Sequence, residues 1–480
     1  MIIALDVGTS SARAAVFDHQ GRPLAGRFHR VSYRPRLLPG GGVEHDAPHL
    51  LEAVATCLDA VQAGHGLPDV AAVGVTTFWH GLLGFDAAGH CVTPIFMWSD
   101  GRSATEAALL AQALDETAIH ARTGCHLHSS YWPAKLRWLA RDRPEEVARV
   151  AHWGSFGEYL ELELFGEAAT TVSMASGTGL LDQRTLAWDT EALAAADIEP
   201  DRLFRLCDRQ HDRRGLRPRW SLRWPALRGV PWFPAVGDGA AGNVGSDCTD
   251  RTRMALNVGT STALRVMTVD PTPPPRGLWR YRLDRRLALV GGALSEGCNV
   301  HAWCRQVLNV SGPDAVERAL ATTPPDSHGL TVLPFLAGER APGWRVDRQG
   351  LIAGLGLETT AEQIVVAALE GVALRIALVY ALLAPLAAPD HSIVASGGAL
   401  ARSPGWTQRI VDALGRPLVL SAVEEASSRG AALLALESLG LLPRLEAVSL
   451  PPGTAVQPDA ARHARYCTAL RRQQQLDTRV

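Results

Sequence analysis

The chain has 480 residues and is 47% hydrophobic, so it is long enough to build two hydrophobic cores rather than one. Its 47 basic and 49 acidic residues leave a net charge of −2, which excludes an electrostatic argument for nucleic acid or an anionic membrane as partner. A small-molecule partner is expected instead. Eight cysteines without a CxxC pair, and a first strand with no basic leader before it, favour a reduced, cytoplasmic location.

The first half begins with a predicted β-hairpin, in which the apolar residues 2–5 and 14–17 enclose the turn Gly8-Thr9-Ser10. Periodicity and turn residues predict the later elements of this half. These are a helix over 49–63, a strand over 70–76, a hairpin through 85–89, a helix-rich portion over 103–165 and an irregular, Arg-, Trp- and Pro-rich connection over 205–232.

The second half begins with a similar hairpin around Gly259-Thr260-Ser261. The apolar stretch 364–386 is interrupted by Glu370 and Arg375, so it is predicted to be a buried helix rather than a membrane span. Each half of the chain is predicted to have strands followed by helices, and this order predicts two α/β domains with mixed sheets. We predict a boundary near Asp247, which divides the chain into residues 1–247 and 248–480.

The two hairpins carry nearly the same phrase. Residues 6–12 read D-V-G-T-S-S-A and residues 257–263 read N-V-G-T-S-T-A, which places the two copies 251 positions apart (257 minus 6). Glycine permits close approach of a ligand, and turn amides and hydroxyls suit phosphate oxygens. Either copy alone is consistent with an ordinary hairpin. The pair predicts a duplicated domain with ATP bound between the halves.

Asp238 lies in the phrase G-D-G-A-A-G-N, after the apolar run 230–236 and before a stretch of small residues. A carboxylate there can accept the proton of a substrate hydroxyl during phosphoryl transfer. Aspartate is also a favoured N-cap at the start of a helix. The two roles are compatible, and both are retained.

Ser396-Gly397-Gly398-Ala399 follows a short apolar strand, and its paired glycines allow a flat ring or sugar to lie against the backbone. This favours an adenosine site, with a purely structural turn as the alternative. The small-residue segment 425–432 is predicted to begin a helix that packs closely beneath that site.

The sequence resembles the FGGY family of carbohydrate kinases through nearly its whole length. The family's downstream signature is present in Gly350, Ile352, Gly354, Leu355, Gln363, Ile364, Ala367, Ala368, Leu369 and Glu370. The upstream signature is represented more loosely by residues 135–139, with Pro133 one place nearer to the lysine than usual.

The resemblance implies an actin-like, ribonuclease-H-like fold in two domains, with ATP and sugar meeting in the cleft. It implies that Asp238 is the general base and that Asp6, together with Asp238, holds Mg²⁺. Arg402 stands where several relatives carry asparagine. The ATP contacts that the resemblance implies are Gly8, Thr9, Ser10, Arg13, Gly259, Thr260, Ser261, Gly397, Gly398, Ala399 and Arg402.

The resemblance also places a sugar site in the first domain. Trp79 and His80 match the segment that puts a histidine beside the sugar, and Trp98, Asp100 and Arg102 match a W-x-D-x-R segment. These side chains supply the donors, acceptors and apolar face that a polyol requires. The alternative to a sugar contact is that Trp98 belongs to the hydrophobic core and that Asp100 and Arg102 form a structural ion pair.

Among the branches of the family, the sequence looks most similar to gluconate kinases, through residues 123–128, 173–180, 257–267 and 334–344. Thr171 departs from that branch, which often carries aspartate there. A carboxylate on the acceptor would need cations or several donors. The candidates are His126, His128, Arg340 and Lys135, the one lysine of the chain, which is either functional or a chance survivor.

Xylulose or another ketopentose is the alternative acceptor, and glycerol is less favoured because the arginine-glutamate pair of that branch is not found. An actin-like ATPase or a sugar-sensing protein without kinase activity is the alternative from a different class. The sequence does not determine the oligomeric state, and a homodimer is the one assembly considered.

Overall fold

Two large mixed β-sheets organise the protein, and the computed structural model describes residues 1–63, 69–310, 314–448 and 453–479. The strands up to the predicted boundary are β1 (Ile2–Val7), β2 (Ser11–Phe17), β3 (Pro23–Ser32), β4 (Arg36–Leu38), β5 (Gly42–His45), β6 (Ala72–Thr77), β7 (Leu83–Phe85), β8 (Ile95–Phe96), β9 (His152–Gly154), β10 (Thr170–Thr171), β11 (Leu181–Asp182), β12 (Ala187–Trp188), β13 (Leu206–Cys207) and β14 (Trp232–Gly237). The later strands are β15 (Arg253–Val258), β16 (Thr262–Thr268), β17 (Trp279–Arg282), β18 (Ala288–Leu294), β19 (Thr331–Leu333), β20 (Leu351–Ala353), β21 (Ser392–Ser396), β22 (Leu418–Leu420) and β23 (Thr454–Val456).

Helices cover both sheets. In chain order they are α1 (Ala47–Gln62), α2 (Ala104–Ala113), α3 (Glu116–Thr123), α4 (Trp132–Asp142), α5 (Pro144–Arg149), α6 (Phe156–Phe165), α7 (Val172–Ser176), α8 (Thr190–Ala196), α9 (Pro218–Arg223), α10 (Asp238–Gly245), α11 (Cys298–Val307), α12 (Ala315–Thr322), α13 (Ala361–Leu383), α14 (Gly398–Arg402), α15 (Pro404–Leu414), α16 (Ala426–Ser438) and α17 (Ala460–Asp477). The predicted helix over 49–63 and strand over 70–76 are confirmed as α1 and β6, and the helix-rich portion as α2 to α6.

The two sheets share one topology. The first has the order β3-β2-β1-β6-β14, with β1 to β3 antiparallel and with β6 and β14 parallel to β1. The second contains the same arrangement as β18-β16-β15-β21-β22, extended by β17 at one edge and β23 at the other. Three antiparallel strands followed by two parallel ones therefore occur twice, which confirms the predicted duplication and the mixed sheets.

Both repeated phrases form the turn of a hairpin, as predicted. In the first, Asp6 pairs with Arg13 across β1 and β2, and the Gly8 amide donates to the Ser11 carbonyl over 2.9 Å. In the second, Asn257 pairs with Ala263, and the Gly259 amide donates to the Ser261 carbonyl, again over 2.9 Å. The two turns lie at equivalent places in the duplicated sheets.

Strand β1 is buried along its whole length because helices cover both faces of the first sheet. Its six residues are all buried, α1 packs on β2 and β3, and α16 packs on β1 and β6. Each fully buried aliphatic side chain contributes about 1.5–3 kcal/mol. Because α16 comes late in the chain, residues on both sides of the proposed boundary share this core, and the division after residue 247 stays a prediction.

Helices α10 and α16 meet through glycine. A side-chain carbon on Gly430 would lie 1.8 Å from the Ala241 carbonyl oxygen, and one on Gly245 would lie 1.8 Å from the Ala426 carbonyl oxygen. The predicted helix in the 425–432 segment is confirmed as the start of α16, which begins at Ala426 and packs on α10, β1 and β6. Its packing beneath the glycine pair at 397–398 stays a prediction. Its small residues serve the contact with α10, the helix that begins at Asp238.

Helix α13 is long and apolar enough to span a membrane, yet most of it is buried inside the fold. Of its three charged residues, Glu362 is exposed in the first turn, whereas Glu370 and Arg375 are buried. Glu370 pairs with Arg409, and Arg375 pairs with Glu339 and with Asp477. Paired charges can be accommodated in a protein core, so the prediction of a buried helix is confirmed.

We predict that Gly430→Ala destabilises the protein, because the added methyl group forces α16 away from α10. The expected decrease in the free energy of unfolding is about 1–3 kcal/mol, measured by urea titration. Gly229→Ala is the control, since a methyl group there meets no atom within 4 Å. Equal stability of the two variants would contradict this account of the helix contact.

Candidate active site

The first hairpin presents a buried carboxylate. Asp6 is 1% exposed at the end of β1, and Arg13 on β2 donates to its Oδ2 over 2.7 Å. Burial raises the pKa of Asp6, and the charge of Arg13 opposes that rise. The turn itself is held by the Tyr33 hydroxyl, which donates to the Gly8 carbonyl over 2.7 Å. The sequence-predicted Asp6 and Arg13 therefore form one ion pair beside the turn.

The second hairpin has a neutral residue at the same place. Asn257 donates to the Ser396 hydroxyl over 3.2 Å, which ties the hairpin to the strand before the glycine pair. The Cys298 amide at the start of α11 donates to the Gly259 carbonyl over 2.8 Å. The predicted Gly259, Thr260 and Ser261 thus form a turn braced by two neighbouring elements.

Asp238 is the first residue of α10, directly after β14, and Gly237 occupies the N-cap position. The Asp238 Oδ1 accepts the Gly239 amide proton over 2.7 Å, so the carboxylate bonds within the first turn rather than as the cap. Burial and the charge of Asp6 raise its pKa to about 6, whereas Arg265 lowers it. A carboxylate with such a pKa is a competent proton acceptor near neutral pH.

Trp79 supports the backbone around Asp238. Its indole nitrogen donates to the Ser173 carbonyl over 2.9 Å, and the side chain is buried. A side-chain carbon on Gly237 would lie 1.9 Å from the indole ring, and one on Gly239 would lie 2.7 Å from it. Trp79, predicted as a sugar contact, is placed as the platform on which these glycines rest.

Arg265 is a site residue that the sequence reasoning missed. A side-chain carbon on Gly239 would lie 3.2 Å from its guanidinium group, which places the arginine next to Asp238. The sequence did contain a sign of this role, because Arg265 is the one charged residue in T-A-L-R-V-M-T, the second strand of the second hairpin.

His80 has an unusual backbone and a defined tautomer. Its φ is 68°, which is uncommon for residues other than glycine, although histidine, asparagine and aspartate adopt it more often than the rest. The Nδ1 atom lies 2.5 Å from the Gly177 carbonyl, which can only accept, so Nδ1 carries the proton. Burial lowers the pKa of His80 to about 3, so the ring is neutral and its Nε2 is an acceptor.

The W-x-D-x-R segment divides into two roles. The Arg340 guanidinium lies 4.1 Å from the centre of the Trp98 ring, so Trp98 faces a residue from the second half of the chain. Asp100 instead accepts from Arg102 Nε over 3.0 Å and from the Val43 amide over 3.1 Å.

Arg102 completes a buried network behind the segment. It donates to Glu44 over 2.7 Å, and its guanidinium lies 4.5 Å from the centre of the Trp138 ring. Asp100 and Arg102, predicted as sugar contacts with a structural ion pair as the alternative, have the bonding of the structural pair.

The glycine pair lies against the second hairpin. Gly397 has a φ of 112°, and a side-chain carbon there would lie 2.5 Å from the Val258 carbonyl oxygen. Gly398 begins α14, with Ala399 next, and the Arg402 guanidinium lies 2.6 Å from where a Gly398 side chain would start. Glycine is required here by close packing, and the exposed Arg402 lies across the pair.

Three aromatic residues that the sequence reasoning missed form the wall between the two halves. The hydroxyls of Tyr131 and Tyr281 lie 2.7 Å apart. The Trp344 ring centre lies 4.7 Å from that of His126 and 5.3 Å from that of His128. The sequence around these three aromatic residues does not predict their contacts, because the partners are distant in sequence.

The carboxylates beside the first hairpin fit a magnesium ion. Asp6 and Asp238 offer oxygen ligands, which Mg²⁺ prefers, and Glu425 lies 3.5 Å from Arg13. Because Asp6 is paired with Arg13, it is better suited to contact Mg²⁺ through water than to ligate the ion directly. Another group, of Asp326, His328 and Glu370, has suitable ligand atoms elsewhere.

That second group is bonded internally. Glu370 accepts from His328 over 2.9 Å and from the Tyr466 hydroxyl over 2.8 Å, and Asp326 pairs with Arg472. The downstream signature that ends at Glu370 therefore serves the core of the second half.

The duplicated α/β fold, with a glycine hairpin in each copy and Asp238 at the start of α10, is the fold of the actin-like two-domain sugar kinases. Residues 1–245 match the N-terminal domain, and residues 254–439 the C-terminal domain, of the FGGY family of carbohydrate kinases. The chain belongs to this family, and it is a phosphotransferase that acts on a carbohydrate.

Several relatives are similar over nearly the whole chain. A gluconokinase of Bacillus subtilis is 28% identical over 93% of this chain and 89% of its own. A xylulose kinase of Escherichia coli is 27% identical over 97% of this chain and 96% of its own. A glycerol kinase of Trichlorobacter lovleyi is 33% identical over 92% of this chain and 90% of its own. Solved structures of a gluconate kinase and a xylulose kinase from Lactobacillus acidophilus each give a TM-score of 0.91 at 25% identity, over 99% of this chain and 97% of theirs.

We predict that Arg102→Met destabilises the fold, because it leaves two buried carboxylates without this cation. Arg102 is 12% exposed, and the expected loss in the free energy of unfolding is about 3 kcal/mol. The control is Arg36→Met, which removes another partner of Glu44 that is 68% exposed and is expected to cost less than about 1 kcal/mol. A stable Arg102→Met protein with a selectively raised KM for the acceptor would instead restore the sugar-contact hypothesis.

Proposed function

We propose that the enzyme transfers the terminal phosphoryl group of ATP to a hydroxyl of a small sugar or sugar acid, with gluconate as the favoured acceptor. The observation that carries this proposal is the position of Asp238. It lies at the start of α10 beside Asp6, and its pKa of about 6 leaves it ionised at neutral pH.

Asp238 would act as the general base. The carboxylate accepts the proton of the attacking hydroxyl as the oxygen–phosphorus bond forms. Arg265, at the neighbouring Gly239, keeps part of the carboxylate population ionised despite burial. The Trp79 platform holds Gly237 and Gly239, and therefore the carboxylate, in place.

The hairpins would hold ATP, whose use is implied by membership of the family. The turns Gly8-Thr9-Ser10 and Gly259-Thr260-Ser261 offer amides and hydroxyls to the phosphates, and the 397–399 loop with Arg402 would receive the adenosine. Mg²⁺ would be held by Asp6 and Asp238, where it neutralises phosphate charge.

Gluconate is favoured by the similarity to gluconokinases and by two cations, Lys135 and Arg340, that lie near His80. A ketopentose such as xylulose is the second candidate, because xylulose kinases are similar to the same extent in fold. The family assignment argues against the actin-like ATPase and sugar-sensing alternatives. The cytoplasmic location and the question of a homodimer stay predictions.

We expect Asp238→Asn to retain ATP binding and to lose acceptor phosphorylation by about 10²- to 10⁴-fold, because an amide cannot accept the proton. Coupled ADP release and nucleotide titration measure the two effects. Asp250→Asn makes the same chemical change at an exposed residue and should leave both unchanged. Turnover of Asp238→Asn near that of the unmodified protein would remove the proposed base.

We expect His80→Ala to raise the KM of the acceptor by about tenfold and that of ATP by less than about threefold, since the lost Nε2 acceptor faces the sugar side. Steady-state kinetics with each substrate varied in turn measure the split. Equal increases in both KM values would indicate a folding role for His80.

A further inference from the structure

Lys135, the single lysine of the chain, is buried without a carboxylate partner. It is 1% exposed on α4, and its ammonium donates to the Ser130 carbonyl over 2.6 Å and to the His80 carbonyl over 3.4 Å. Within the part of the chain that the structure describes, no ion pair to Lys135 is found. A buried ammonium that meets only carbonyl oxygens is costly unless a ligand supplies a negative charge.

His128 offers a second donor without an acceptor. Its Nδ1 accepts the Ser130 amide proton over 3.1 Å, so in the neutral ring the hydrogen is on Nε2. That Nε2 is buried and has no hydrogen-bond partner among the described residues. Burial and the charge of Arg340 lower the pKa of His128 to about 3, so the ring stays a neutral donor.

Arg340 is the third donor. It donates through Nη2 to the Leu294 carbonyl over 2.7 Å, while its buried Nε has no partner among the described residues. Glu296 is the acid that raises the pKa of Arg340 most. Burial raises the pKa of Glu296 itself to about 8, so its carboxyl group is largely protonated at neutral pH. The positive charge of Arg340 is therefore left largely uncompensated.

The three donors belong to one region of the cleft. Lys135 donates to the Ser130 carbonyl, and the Ser130 amide donates to His128, so Ser130 joins these two side chains. The Trp344 ring centre lies 5.3 Å from that of His128, and the Trp344 amide donates to the Arg340 carbonyl over 2.6 Å. The charges of Lys135 and Arg340 both lower the pKa of His128, in agreement with these contacts. Asp100 is the acid that raises the pKa of Lys135, and its carboxylate already accepts a hydrogen bond from Arg102.

From these contacts we infer that Lys135, His128 and Arg340 form a subsite for the carboxylate of a sugar-acid acceptor. The two donors without an acceptor, on His128 and Arg340, and the ammonium of Lys135 without a counter-charge call for a ligand that only accepts. An ionised carboxylate has about four lone-pair positions for them. Arg340 brings the second half of the chain to this subsite, so the carboxylate would be held from both sides of the cleft. The inference rests on the proposed function, because it gives the acceptor of that reaction its chemical class.

Binding at this subsite should be coupled to a proton. Burial lowers the pKa of Lys135 to about 7, with Asp100 opposing the shift. An arriving carboxylate raises that pKa again, so the protein takes up a proton on binding. Below about pH 6 the ammonium is already charged and uptake disappears, whereas above about pH 7 the affinity falls as the pH rises. The other charged or titratable groups around Lys135 are His80, His128, Arg340 and Asp100.

The test is calorimetric titration of the unmodified protein with D-gluconate and with the neutral D-xylulose, in two buffers of different ionisation enthalpy. At about pH 7 gluconate should bind with uptake of about half a proton, less at about pH 6, and xylulose with none. Lys135→Met should weaken gluconate binding by about 10- to 100-fold, change xylulose binding by less than about threefold, and abolish the proton uptake.

Arg137→Met is the matched control, because it removes a cation from the exposed face of the same helix, where Arg137 pairs with Glu106. It should leave both affinities and the proton uptake unchanged. Gluconate binding by the unmodified protein without proton uptake, or equal losses for both sugars in a folded Lys135→Met variant, would overturn the inference. Gluconate that binds with proton uptake but does not stimulate ADP release from MgATP would support the subsite and contradict the proposed reaction.

Discussion

The repulsion of the Asp238 carboxylate by the buried carboxylate of Asp6 is the constraint on which the site depends. Asp6 lies near the carboxyl end of β1, and Asp238 directly after β14, with β6 between the two strands. The carboxyl ends of parallel strands lie at the same edge of a sheet, so the two side chains come together there. Burial raises both pKa values, and the charge of Asp6 raises that of Asp238 further. Without nearby cations, at least one of them would be protonated at neutral pH, and the site would lose a base or a metal ligand.

Duplication of the fold supplies the balancing charges. Arg13 lies on β2, the second strand of the first hairpin, and pairs with Asp6. Arg265 lies on β16, the second strand of the second hairpin, next to Asp238. Each copy of the sheet therefore contributes one glycine turn and one cation. Asn257, at the position equivalent to Asp6, keeps the second copy neutral, so a third carboxylate is not added beside the phosphates.

A second electrostatic imbalance characterises the acceptor side. Lys135 and Arg340 face neutral histidines and a largely protonated Glu296, so positive charge exceeds negative charge there. A neutral polyol would leave that excess in place, whereas a sugar acid removes it. The same physics that keeps Asp238 basic thus favours an anionic acceptor.

The sequence predicted the parts of the molecule that depend on local pattern. The repeated phrase predicted two hairpins, and Asp238 after an apolar run predicted a carboxylate at a helix start, because strands, turns and helix starts are set by nearby residues. The long-range contacts were not accessible. The tie of Arg102 to Glu44, the platform that Trp79 gives to Gly237, and the packing of α16 on α10 all join segments far apart in sequence.

The most direct test of this account is ADP release from MgATP with D-gluconate, D-xylulose, L-ribulose, D-ribulose, L-fuculose, erythritol and glycerol offered in turn. The account predicts strong stimulation by D-gluconate and little by the neutral compounds. Strong stimulation by xylulose or glycerol with none by gluconate would contradict the sugar-acid acceptor. Slow ADP release that no compound stimulates, from folded protein that binds ATP, would contradict phosphoryl transfer to any acceptor of this set.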